Sequence, residues 1–127
     1  MWFAGNHSEI GGSYLEDESR LSDIALGWMI DELKAIDNQP YLNDAMLRLF
    51  PDAGAAQHDE VKSSHDNWMP SFLAWKEKPR KINIKASLHP TVINRFEKQS
   101  VAQYDELKPY QPIGLRKHVE VQHFYKS

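Results

Sequence analysis

The stretch WFAGNHSEIGGSY, residues 2–14, decides how the chain is read. Trp2-Phe3-Ala4 has the aromatic and apolar character of the last residues of a β-strand. Gly5, Gly11 and Gly12 permit backbone angles closed to other residues, so 5–14 is predicted as a loop. His7 then stands just past a strand end, at the carboxyl edge of a sheet, where α/β folds place ligands and reacting groups. A single loop histidine is most often a surface or hydrogen-bonded residue, and its neighbours have to say more.

Downstream, Ile24, Ala25, Trp28, Met29, Leu33 and Ile36 recur at helical spacing, with Asp23, Asp31, Glu32 and Lys34 largely off that stripe. The pattern predicts a helix over 22–37, with Ser22 as N-cap, Asp23 suited to the dipole and Trp28 in the core, stopped by Asn38 and Pro40. A second short helix is expected over 41–51, with Leu42, Met46 and Leu49 on one side. Periodicity is then lost from 52 to 81, where a loop and one or two helical turns carrying Trp68, Phe72 and Trp75 are expected over 63–76. KINIKAS (81–87) and VEVQHFY (119–125) read as short strands, and HPTVINRFEKQ (89–99) as a proline-started helix burying Val92, Ile93 and Phe96.

Composition narrows the class. The chain has 127 residues, 41% hydrophobic and 26% charged, within the range of one globular domain. A formal net charge of -3 and scattered lysines and arginines, KEKPRK (76–81) apart, argue against nucleic acid as a partner. Cysteine is absent, which excludes disulfides, thiolate catalysis and cysteine-based zinc sites. No run of about 18 apolar residues occurs and no basic segment leads an apolar one at the N-terminus, so neither a transmembrane helix nor a cleavable signal is expected.

WFAGNHSEIGGSY, LSDIALGWMIDE (21–32), HDNW (65–68), LHPTVINRF (88–96) and YQPIGL (110–115), in that order, resemble the C-terminal half of an α/β-hydrolase domain family of bacterial and fungal proteins that includes type VI secretion phospholipase effectors. The first block carries the resemblance through Trp2, Phe3, Gly5, His7, Ser8, Ile10, Gly11, Gly12 and Tyr14. The resemblance implies the C-terminal part of an α/β-hydrolase-type sheet with covering helices, residues 1–50 forming the best-matched core and 51–127 a loop-rich remainder. It also implies that His7 is the general base of a Ser-His-Asp triad, acting on a lipid or ester without a cofactor. No role follows from it for His65-Asp66 or His89-Pro90.

One departure sets the expected behaviour. The nucleophile elbow G-x-S-x-G does not occur in the 127 residues. Triad order in α/β-hydrolases is serine, acid, histidine, so serine and acid are both expected ahead of residue 1, and the chain reads as beginning mid-domain. It is then inactive by itself, and partly ordered or aggregating where the sheet is incomplete. Ser8 and Ser13 beside His7, with Asp17, Asp23 and Asp66, make a poor internal substitute because no strained turn presents the serine. Rival readings are a complementing subunit that pairs its exposed edge with a separate N-terminal half, and a metal-binding domain built on His58 and His65 with Asp59, Glu60 and Asp66. His118 and His123 are expected at the surface. Cytoplasmic synthesis, with secretion by a signal-less route, completes the expectation.

Overall fold

A computed structural model describes residues 1–38, 41–61, 76 and 78–125. The described elements are helices α1 (His7–Gly11), α2 (Arg20–Lys34) and α3 (Pro90–Glu97), strands β1 (Val101–Gln103) and β2 (Glu106–Lys108), and 3-10 turns at Asp44–Met46, Ile113–Leu115 and Gln122–Tyr125.

The strand end foreseen at Trp2 is a single bridge. Trp2 N–H donates to the Ser87 carbonyl at 2.8 Å, the Trp2 carbonyl accepts from His89 N–H at 2.8 Å, and Trp2 lies parallel to Leu88. This pairing delivers residue 89 to the start of α3. There His89 is the N-cap, its Nδ1 accepting from Thr91 N–H at 3.4 Å, and Pro90 occupies the first turn, where a missing N–H costs nothing. The His89 ring also stacks on Phe3 at 4.8 Å, and burial pushes its pKa down. The His89-Pro90 pair is therefore a helix start clamped to the first strand residues.

α3 buries Val92, Arg95 and Phe96. Val92 and Phe96 form the core with Ala4, Leu88, Val101, Tyr110, Leu115 and Val121, and Trp2, Ile82, Ile93, Phe124 and Tyr125 pack against it. β1 and β2 are joined through Tyr104 and Asp105, with φ of 55° and 64°, the left-handed pair a tight hairpin turn needs. On its other side β1 holds Gln57, whose N–H donates to the Ala102 carbonyl at 2.9 Å and whose carbonyl accepts from Tyr104 N–H at 2.8 Å.

Several expectations are corrected. The span 5–14 is not wholly loop but contains α1. The long helix begins at Arg20 with Ser19 as N-cap; Ser22 lies inside it and its Oγ donates to the Ser19 carbonyl at 2.6 Å. Its burial concentrates at Leu21, Ile24 and Ala25, with Ile30 beyond, while Met29 and Ile36 of the foreseen stripe stay exposed. Trp28 is half-buried, its ring 5.6 Å from Phe3. The span 41–51 holds only a 3-10 turn, because Asp23 accepts from Phe50 N–H at 2.8 Å and Lys34 pairs with Asp44 at 2.9 Å, drawing the segment back along α2. No strand forms at 81–87, where Asn83 turns the chain by accepting from Lys85 N–H through its side chain and from Ala86 N–H through its carbonyl. The span 119–125 is turn, ending in the 3-10 turn Gln122–Tyr125, instead of a strand. His118, expected at the surface, is 2% exposed, with its Nε2 2.8 Å from the Ala86 carbonyl and its Nδ1 accepting from Glu120 N–H. The turns expected around Trp68, Phe72 and Trp75 lie outside the described residues.

The fold is thus a small mixture of helix and strand whose one described sheet is a two-stranded antiparallel hairpin, compatible with a fragment. Among the described residues no helix is long and apolar enough to cross a membrane.

Candidate functional site

Local sequence builds α1. Gly5 has φ 126°, which only glycine adopts easily, and a Cβ there would lie 2.9 Å from Glu9 Oε2. Asn6 then caps the helix: its Oδ1 accepts from Glu9 N–H at 2.8 Å, and Glu9 Oε2 accepts from Asn6 N–H at 2.9 Å, a reciprocal capping box. Gly12, with φ 77°, ends the helix by donating to the Ser8 carbonyl. His7 is therefore the first residue of a capped five-residue helix, its side chain 61% exposed.

Against it lies the segment that follows Gln57. Glu60 Oε2 is 2.9 Å from His7 Nδ1, and Tyr14 donates from its hydroxyl to Glu60 Oε1 at 3.4 Å. A carboxylate on Nδ1 holds a proton there and makes Nε2 the basic nitrogen, the arrangement a general base requires. Burial pushes the Tyr14 hydroxyl up, opposed by the Asn6 side chain and reinforced by the Glu60 and Glu9 charges, so Tyr14 acts as a donor.

A second histidine-carboxylate pair stands beside the first. Glu9 Oε1 accepts the His58 N–H and lies 3.4 Å from His58 Nδ1. Asn6 Nδ2 donates to the His58 carbonyl at 3.3 Å, and Tyr14 stacks on the His58 ring at 4.2 Å. Burial pushes the Glu9 carboxyl up, against the lowering influence of the Asn6 and His58 N–H groups and the His58 charge. A shallow depression lined in part by Phe3, Leu21, Ile24, Thr91 and Arg95 includes none of this cluster.

Of the residues singled out from sequence, His7 and Glu60 meet and His58 stands beside them, while Ser8 and Asp23 serve elsewhere. Ser8 lends its carbonyl to the α1 cap, and Asp23 serves Phe50. His58 is engaged by Glu9, while His65 and Asp66 lie outside the described residues. Among the described residues no group of three or more His, Cys, Asp or Glu side chains could hold a metal. Sequence reasoning missed Glu60 as the partner of His7 and Glu9 as a buried acid. The Asn6 to Glu9 spacing signals a capping box, but no local pattern points to Glu60.

No curated protein and no solved structure matches the chain. A family model does match residues 1–32: the type VI secretion system (T6SS) phospholipase effector Tle1-like catalytic domain. The segment that carries Gly5, His7 and the Gly11-Gly12 turn is thus related to the Tle1-like phospholipase effector family.

Proposed function

We propose that this chain is the base-bearing part of a lipase- or phospholipase-like serine hydrolase of α/β-hydrolase type. His7 is the general base, and Glu60, which follows it in the chain, takes the orienting role in place of the acid expected ahead of residue 1. The observation that supports it is the 2.9 Å contact between His7 Nδ1 and Glu60 within a site whose histidine lies in the family-matched segment.

In this mechanism Glu60 keeps the proton on Nδ1, and Nε2 takes the proton of a serine hydroxyl as its oxygen attacks an ester carbonyl. The carboxylate steadies the imidazolium so formed. The proton then passes from Nε2 to the leaving alcohol. The serine belongs to a segment outside these 127 residues, supplied in the same polypeptide or by a complementing one, and the chain alone has no turnover. The substrate is a carboxylic ester of a lipid.

The test is hydrolysis of a fluorogenic phospholipid and of a short p-nitrophenyl ester by the chain expressed with the coding sequence that precedes it. Turnover is expected there, falling at least about 10³-fold in His7→Ala, and none is expected from the 127 residues alone. Turnover indifferent to His7→Ala would refute the assignment.

A further inference from the structure

We propose that Glu9 is a positioning residue that docks the Glu60-bearing segment onto the helix of His7, an assignment that rests on His7 acting as the base. A capping-box glutamate ordinarily returns one hydrogen bond to its own helix start and stays in water. Glu9 is 2% exposed and divides its carboxylate. Oε2 serves the Asn6 N–H at 2.9 Å, and Oε1 serves the N–H of His58. Asn6 divides itself the same way, with Oδ1 on Glu9 N–H at 2.8 Å and Nδ2 on the His58 carbonyl at 3.3 Å. Both backbone polar groups of residue 58 are thereby held by the two residues that cap α1.

The consequences run along the chain. Gln57, the preceding residue, is held by β1 through its own N–H and carbonyl. Residues 57 and 58 are fixed at four backbone groups, and Glu60 follows two positions later with its carboxylate on His7. Tyr14 closes the arrangement, its ring on His58 and its hydroxyl on Glu60. Burial of a carboxylate is costly unless its oxygens are hydrogen-bonded, and capping a five-residue helix does not require that burial. The second acceptor bond acts on the segment that carries the acid.

The neutral tautomer of His7, read from its ring 15N shifts, tests this without any turnover. In the unsubstituted protein the Nδ1–H form is expected to dominate, and in Glu60→Ala its share is expected to fall. Glu9→Ala and Glu9→Asp, the second still acidic at the cap but too short to reach His58, are expected to show the same fall with Glu60 intact and with α2 and α3 amide resonances unchanged. A folded Glu9 variant that keeps the Nδ1–H form of His7, while Glu60→Ala loses it, overturns the role of Glu9 and leaves the His7–Glu60 pair standing. Loss of nothing in Glu60→Ala overturns the pair itself, and the role of Glu9 with it. The His58 amide of the unsubstituted protein decides the matter even where no Glu9 variant folds: slow exchange and a downfield proton are expected of a carboxylate acceptor, and rapid exchange overturns the proposal.

Discussion

Tyr110 shows how a single side chain makes this fold sensitive to pH. It is 6% exposed, edge-on to Phe96 at 5.1 Å, with the Arg95 guanidinium 5.0 Å from its ring centroid. Burial pushes its hydroxyl up to about 12, against the lowering influence of Arg95. The folded chain then keeps a proton that the unfolded chain surrenders near pH 10, so this stabilisation is complete below pH 10 and is lost as pH rises toward 12. Thermal melts across that window should lose on the order of 2 kcal/mol through this residue, and Tyr110→Phe should flatten the slope. An unchanged slope in Tyr110→Phe would show that the hydroxyl is not buried. His7 is the opposite kind of residue: its place in a recognisable local pattern makes it legible from sequence, whereas its partner Glu60 is one exposed-looking acid among many.

At the scale of the element, the three glycines of the first block have different tasks. Gly5 combines φ 126° with a Glu9 side chain 2.9 Å from where a Cβ would stand; Gly12 has φ 77° but ordinary contacts with Ser22; nothing lies within 4 Å of a Cβ at Gly11. Gly5→Ala should therefore cost about 2–3 kcal/mol and displace Glu9, and Gly12→Ala about 1 kcal/mol. Gly11→Ala, in a helical conformation, should be neutral or stabilising by up to about 1 kcal/mol. Denaturant melts of the three variants check the order, and a Gly11→Ala loss as large as that of Gly5→Ala would refute it. The hairpin is a contrasting case, since Tyr104-Asp105 lacks the Asn-Gly or Asp-Gly signature, and its turn was not readable beforehand.

The whole molecule hangs on α3. Phe96 meets the rings of Tyr110, Phe124 and Tyr125 at 5.1, 5.2 and 5.7 Å, and its neighbour Arg95 reaches the other way, donating from Nη1 to the Ala53 and Ala55 carbonyls at 2.7 Å each. Phe96→Ala should cost about 3–5 kcal/mol, a large share of a stability of about 5–15 kcal/mol, and the loss should be seen together by probes in α2 and in residues 110–125. Separate transitions would show that the described residues do not melt as one unit.

What the sequence determined by itself lies within a few residues of each position: the glycine-bounded block around His7, the start of α3 at Pro90 with Val92 and Phe96 facing inward, and the existence of the helix that contains Ile24. These follow from dihedral preferences and short periodicities, which neighbours in the chain settle among themselves. Tertiary structure alone decided that Glu60 meets His7, that Glu9, Arg95 and His118 are buried, that Met29 is exposed, and that 81–87 and 119–125 turn instead of pairing as strands. Each of those outcomes balances the desolvation of a group against a hydrogen bond or apolar surface supplied from far along the chain, and no local pattern contains both sides of that balance.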